Sequence, residues 1–276
     1  MPRILLISQK RCGTNWLMEL IGALPKTICF RDVFNPGGAF GLKPGRNAAA
    51  AAIAEHLDLP ILEERDPDLI DFVRTEPELF LRFVEAAIQR KGCCWCGATI
   101  FDGHLSPQQF RSVISAKGTL VVLLKRRNLD RAISLKKARL TGAWKGLDTS
   151  EIRPEVTWQD VDNAIQESKS WFDFVEDCLQ VNEIPFVELR YEDHVLEGPE
   201  HVLLHLASHT SNFPWAEGEP VPIPSIQAQD LTRDVFERIS NGAELKKALQ
   251  EHGIFGEAMN YPGRISRSIS SMVGRG

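Results

Sequence analysis

The sequence predicts an α/β fold with three layers, in which a parallel sheet carries helices on both of its faces. Four short segments, rich in apolar and β-branched residues, have the length and composition of buried strands. Longer segments with apolar residues at helical spacing separate them, and this alternation is typical of a parallel sheet. The four predicted strands are Ile4–Ser8, Cys93–Phe101, Thr119–Leu124 and Pro185–Arg190.

Length and composition favour one large domain over residues 1–276, of which 43% are hydrophobic. The tail at 263–276 is rich in arginine and serine, and we expect part of it to be mobile. The net charge of −5 is ordinary for a soluble enzyme and gives no overall attraction to nucleic acid. No apolar run approaches the roughly 18 residues of a membrane span, so we expect a cytoplasmic protein without membrane insertion.

A first anion site is predicted where the strand Ile4–Ser8 runs through a polar loop, Lys10–Asn15, into a helix. Backbone N–H groups are free at a helix N-terminus, and the helix dipole attracts negative charge there. Gly13 permits close approach of the backbone, while Lys10 and Arg11 add positive charge. The loop lacks the Gly-Lys-Ser/Thr ending of the nucleotide-triphosphate motif, which argues against a magnesium-dependent nucleotide kinase or NTPase.

A second anion site is predicted after the strand Thr119–Leu124. Ligands of open α/β sheets bind at the carboxyl ends of strands, which is where Arg126 stands, and Ser134 lies on the helix that follows. A solvated basic helix face is the simpler interpretation of Lys136, Lys137 and Arg139, and a nucleic-acid patch is a further alternative. Seven basic residues occur here against one acid, Asp130: Lys125, Arg126, Arg127, Arg131, Lys136, Lys137 and Arg139.

Together the two segments resemble those of sulfotransferases that use 3′-phosphoadenosine 5′-phosphosulfate (PAPS). The loop at 10–17 resembles the family's 5′-phosphosulfate loop, and the segment at 126–134 resembles its 3′-phosphate segment, with arginine eight positions before serine. The likeness is closer to bacterial carbohydrate sulfotransferases of the trehalose and nodulation-factor types. Three further segments carry it: Asp32–Pro36, Gly97–His104 and Tyr191–Asp193.

The resemblance implies a P-loop NTPase-like sulfotransferase fold, PAPS as co-substrate without a metal, and a small-molecule or glycan acceptor. It implies transfer of a sulfuryl group to an acceptor hydroxyl, with Arg11, or alternatively Lys10, at the bridging oxygen. Asp32 is the expected base and His104 the alternative. The residues expected to bind the nucleotide are Arg11, Cys12, Gly13, Thr14, Asn15, Trp16, Arg126 and Ser134. Trp16 has a second interpretation, simple packing of helix against sheet.

Some features remain open at this point. A non-catalytic module that binds a nucleotide or nucleic acid through residues 125–139 is the main alternative function. His201, His205 and His209 recur every four residues, which favours a solvated helix face over a zinc site because no H-E-x-x-H pattern is present. Glu192 and Asp193 are expected to begin a helix. The acceptor, the role of the C-terminal quarter and the oligomeric state, with a homodimer as one option, are not determined by the sequence.

Overall fold

A computed structural model describes residues 1–42, 51, 53–55, 63–144, 147–210, 212–226, 232 and 234–263. The strands are β1 (Arg3–Ser8), β2 (Thr27–Cys29), β3 (Trp95–Ile100), β4 (Thr119–Lys125) and β5 (Phe186–Arg190). The helices with described bounds are α1 (Thr14–Gly22), α2 (Pro67–Thr75), α3 (Pro77–Gln89), α4 (Pro107–Ile114), α5 (Asn128–Thr141), α6 (Trp158–Val181), α7 (Pro199–Ala207), α8 (Gly242–Glu251) and α9 (Phe255–Met259). A π turn spans Tyr191–Val195, and a 3₁₀ turn spans Val235–Arg238.

The five strands form one parallel sheet in the order β2-β3-β1-β4-β5. β1 lies at its centre, where Arg3 is paired with Cys96 of β3 and with Thr119 of β4. All the carboxyl ends therefore meet at a single edge of the sheet.

Helices cover both faces, and β1 shows this most clearly because its side chains alternate between two cores. Leu5 and Ile7 pack with residues of α2, α3, α4 and α6. Ile4 and Leu6 face the other way, toward α1 and α7. A third core joins α5 and the first half of α6 to α8 and α9. The predicted three-layer α/β architecture is confirmed.

Local signals explain why several helices begin where they do. Ser106 and Gln109 form a reciprocal capping box at the start of α4, as Thr157 and Asp160 do for α6. Pro107 occupies the first turn of α4, where its missing N–H costs nothing. Both helix starts are those that the sequence predicts.

The sequence predictions were wrong or incomplete at several elements. β2 was not predicted, because three residues are too few to show a period. Glu192 and Asp193 lie in the π turn instead of beginning a helix. The sequence also predicts two helices within about 231–250, and the first of these is only the 3₁₀ turn. The alanine-rich segment 48–57 predicts a further helix, which falls mostly outside the described residues, as does the tail apart from Gly263. Among the described helices, none has the length and apolar character needed to cross a bilayer.

Candidate functional site

Functional candidates from separate parts of the sequence lie at the carboxyl edge of the sheet. The loop after β1 is at the centre, with Arg126 after β4 on one side and His104 after β3 on the other. Tyr191 follows β5, and Asp32 follows β2 at the far side. Since neighbouring strands are about 4.8 Å apart, Asp32 follows a strand that lies about 10 Å from β1.

The loop between β1 and α1 turns sharply and leaves the first turn of the helix without a side-chain cap. Gly13 has φ 88° at the N-cap, and Arg11 has φ 73°, which is uncommon for a residue with a side chain. A Cβ on Gly13 would lie 2.5 Å from Cε2 of Tyr191, so any other residue would have to displace the tyrosine ring. The uncapped N–H groups of α1 are suited to an anion.

The two predicted phosphate segments contact each other directly. Arg11 donates from Nε to the hydroxyl of Ser134 at 3.0 Å, and its guanidinium also donates to the carbonyl of Trp144. Arg126 donates to the backbone carbonyl of Arg11 at 2.8 Å. The first loop and the 126–134 segment thus form one continuous cationic surface.

Arg126 is held from two sides by residues after β5. Its guanidinium lies 4.4 Å from the ring centroid of Tyr191, and its Nε lies 3.4 Å from the Glu192 carboxylate. Within the described part of the chain, that buried Nε makes no hydrogen bond. Burial alone would lower the pKa of Arg126, but Tyr191 and Glu192 raise it, so the side chain stays cationic.

The surroundings of Arg11 shift its pKa in the opposite direction to that of Arg126. Burial and the neighbouring Arg126 guanidinium lower its pKa. Two cations that are partly desolvated and close together repel each other, and a bound anion would relieve that repulsion. Together with the uncapped N–H groups of α1, this pair of arginines fits a phosphorylated ligand.

Most of the remaining basic residues of 125–139 do not form an exposed patch. Lys125 is buried between Glu176 and Glu188, each at 2.7 Å. Arg131 and Lys137 are also buried. Lys137 donates to the carbonyl of Thr149, so its assignment to a solvated helix face was wrong.

His104 is buried at the end of β3, and its Nδ1 accepts the N–H of Phe101 at 3.3 Å. Burial and the positive charge of Lys10 lower its pKa to about 4. The neutral ring therefore carries its proton on Nε2, where it donates instead of accepting. Lys10 itself is exposed, and Asp32 is half-buried, with its carbonyl accepting the N–H of Asn35.

The remaining predicted nucleotide residues are placed as follows. The Cys12 side chain is buried in the core beneath the loop, and burial raises its pKa, so only its backbone lies in the loop surface. Thr14 is buried at the first position of α1, and Asn15 beside it is half-buried. Trp16 packs on the core between α1 and the sheet, as its simpler interpretation requires.

The histidines of α7 do not form a fully solvated face. His205 is half-buried, with Nε2 at 3.1 Å from the carbonyl of Glu188, and its ring contacts those of His194 and His209. Among the described residues, no group of three or more His, Cys, Asp or Glu side chains is arranged to hold a metal.

The segment Tyr191–Asp193 carries part of the family resemblance, but Tyr191 and Glu192 were not among the residues expected to bind the nucleotide. Their contacts with Gly13 and Arg126 join distant parts of the chain and were not predicted. Their position immediately after β5 was the available signal, because ligands of parallel sheets bind at strand ends.

The solved structures that resemble the chain include two sulfotransferases. One, a sulfotransferase from Alicyclobacillus acidocaldarius, is 14% identical over 92% of this chain and 96% of that chain, with a TM-score of 0.45. The other, the sulfotransferase domain of the Synechococcus PCC 7002 olefin synthase, is 15% identical over 76% of this chain and 72% of that chain, with a TM-score of 0.36. No family model and no curated protein matches the chain.

Proposed function

We propose that the chain is a sulfotransferase that moves a sulfuryl group from PAPS to an acceptor hydroxyl, on a carbohydrate or glycolipid. The observation that carries the proposal is a pair of hydrogen bonds: Arg126 donates to the carbonyl of Arg11, and Nε of Arg11 donates to the hydroxyl of Ser134. It supports a single site for a nucleotide with phosphates on both its 5′ and 3′ sides. Arg11 and the N-terminus of α1 would take the 5′ side, and Arg126 with Ser134 the 3′-phosphate.

In the proposed reaction, the acceptor oxygen forms a bond to sulfur while the bond from sulfur to the bridging oxygen breaks. The products are the sulfate ester and 3′-phosphoadenosine 5′-phosphate (PAP). Arg11, with Lys10 as the alternative, would stabilise charge on the bridging oxygen. The acceptor proton passes to a base, for which we propose Asp32 because the neutral ring of His104 presents a donor at Nε2.

The first test measures PAP binding by isothermal titration calorimetry in the presence of EDTA. We expect Arg126→Ala to weaken binding by about 10- to 100-fold, since a hydrogen bond to a charged group contributes about 1.5–3 kcal/mol. Arg139→Ala is the matched control, because Arg139 is an exposed arginine of α5, the helix that follows Arg126.

The alternative nucleic-acid module gives a different result. It predicts that Arg126→Ala and Arg139→Ala both weaken binding of an oligonucleotide, with a strong dependence on salt. If the wild-type protein bound the oligonucleotide but not PAP, the sulfotransferase proposal would be wrong. A positive PAP titration is followed by incubation of labelled PAPS with cell extracts to find the acceptor.

The second test concerns the base. Asp32→Asn is expected to reduce kcat by about 10²- to 10⁴-fold, the usual contribution of a general base, while PAP affinity stays unchanged. His104→Gln serves as the comparison in the same assay. If Asp32→Asn kept full activity and His104→Gln lost it, the two roles would have to be exchanged.

A further inference from the structure

The chain after α9 packs back onto the site through residues Asn260–Gly263, the C-terminal strap. The carbonyl of Asn260 accepts the N–H of Asn128 at 3.2 Å. Asn128 in turn donates from Nδ2 to the carbonyl of Glu257 at 3.0 Å. Since Asn128 is the buried first residue of α5, these bonds pair a helix-end N–H that has no acceptor within the helix. They fix the chain two residues beyond Arg126.

The strap also contacts the π turn after β5. Tyr261 donates from its hydroxyl to Asp193 at 3.0 Å, and the guanidinium of Arg190 lies 5.1 Å from its ring centroid. Asp193 directly follows Glu192, which pairs with Arg126 and accepts the N–H of Arg127 at 3.3 Å. One short segment therefore contacts both chain junctions that position Arg126.

Gly263 is seated on the buried ion cluster at the end of β4. A Cβ at this position would collide with the carboxylate of Glu176 and lie 3.0 Å from Nζ of Lys125. Gly263 also has φ 92°, which residues with side chains rarely adopt. Lys125 immediately precedes Arg126, so any residue larger than glycine would either displace the Glu176 carboxylate from Lys125 or move the strap away from the junction.

We infer that the C-terminal strap is a positioning element for the 3′-phosphate side of the site. It clamps the β4–α5 junction to the π turn, so that Arg126 and Arg127 already stand where that phosphate binds. The identity of the ligand rests on the proposed function. The direct contacts of the strap, with Asn128, Asp193 and the Lys125 cluster, lie beside Arg126 on the 3′ side, whereas the strap reaches the loop at Gly13 only indirectly, through Tyr191 and Arg126.

The test compares Gly263→Ala with Gly253→Ala by titrating PAP and adenosine 5′-phosphate, which lacks the 3′-phosphate. Gly253 has φ 72° and no atom within 4 Å of an added Cβ, so it shares the backbone strain without the collision. Gly263→Ala is expected to weaken PAP binding about tenfold, the effect of misaligning one charge-assisted hydrogen bond, and to leave adenosine 5′-phosphate binding unchanged. Gly253→Ala is expected to change neither.

Amide hydrogen exchange over residues 126–130 provides a readout that needs no ligand. We expect faster exchange there in Gly263→Ala and wild-type rates in Gly253→Ala. Equal loss of affinity for both nucleotides, or no loss for either, would overturn the positioning role. A wild-type protein that does not prefer PAP to adenosine 5′-phosphate would instead contradict the proposed function, and the exchange measurement would still decide whether the clamp exists.

A second pair of variants covers the case in which Gly263→Ala does not fold. Asn128→Ala removes the donor to Glu257, and Asn182→Ala removes a similar side-chain donor to the carbonyl of Cys178 at the end of α6. Selective loss of PAP affinity is expected only for Asn128→Ala. If both asparagine variants behaved alike, the inference would be wrong.

Discussion

Gly13 and Tyr191 occupy adjoining space at the start of α1, and this contact joins two segments that are far apart in the sequence. The Tyr191 ring lies where a Cβ of residue 13 would stand, and it also supports the Arg126 guanidinium. Any side chain at position 13 must therefore displace the tyrosine as well as strain the backbone. Because residue 13 has no side chain, the N-terminus of α1 stays open and the Tyr191 ring can pack against it.

Gly13→Ala is expected to weaken PAP binding more than it weakens folding. The positive φ costs about 1–2 kcal/mol, and Gly92→Ala, at φ 79° with open space around it, should lose the same amount. Displacement of Tyr191 would add the loss of Arg126 support only in Gly13→Ala. Urea denaturation and PAP titration of both variants measure the two effects separately. Identical PAP affinities in the two variants would contradict this account.

The π turn and α7 form an element-scale unit whose stability depends on pH. Ring contacts connect His194 of the turn with His201 and His205 of the helix, and His205 with His209 just beyond the helix end. Burial, with the neighbouring His194 and His209, lowers the pKa of His205 to about 4, and burial also lowers the pKa of His194. The nearby charged groups are Asp193, Arg190 and Glu188. The backbone carbonyl of Glu188 accepts a hydrogen bond from Nε2 of His205.

The free energy of unfolding is therefore expected to fall as the pH falls from about 6.5 to about 4. In that interval the unfolded chain takes up protons that the folded histidines do not, which favours the unfolded state. Stability is fully present above pH 6.5 and is lost as the pH approaches the folded pKa. His205→Gln, which keeps a donor for the Glu188 carbonyl, should flatten this dependence.

His252→Gln is the comparison for that experiment, because His252 stacks on Trp158 outside the histidine cluster. Urea denaturation at several pH values between 4 and 7.5 measures the slope for each variant. A slope unchanged by His205→Gln would show that the cluster does not control acid stability.

Strands and helices were predictable wherever the sequence pattern that identifies them lies within one short segment. The inner residues of β1 and β4 are all apolar because both faces of the sheet are covered, and the capping residues Ser106 and Thr157 mark their helices directly. β2 is too short for any period. The π turn was mistaken for a helix start because acidic residues after a strand are typical of both.

For the whole molecule, the sequence predicted the architecture and the two anion segments, but not how those segments meet. Lys137 is an example of a residue whose environment local patterns do not predict. Its position on the helix predicts a solvent-exposed side chain, yet the chain around Thr149 covers it, and the Thr149 carbonyl accepts a hydrogen bond from its ammonium group. The C-terminal strap could likewise not be predicted from the sequence, because its contacts with Asn128 and Asp193 depend on the path of the C-terminal quarter. Long-range contacts of this kind are the part that local patterns cannot contain.

The central place of β1 in the sheet affects how the protein is made. During synthesis, β1 cannot pair until its neighbouring strands have been made, because Arg3 pairs with Cys96 of β3 and Thr119 of β4. At about 5–20 residues per second on the ribosome, that delay is on the order of ten seconds. During this time the apolar residues of β1 have no partner strand, so the nascent chain depends on temporary shielding of these residues by other segments or by a chaperone.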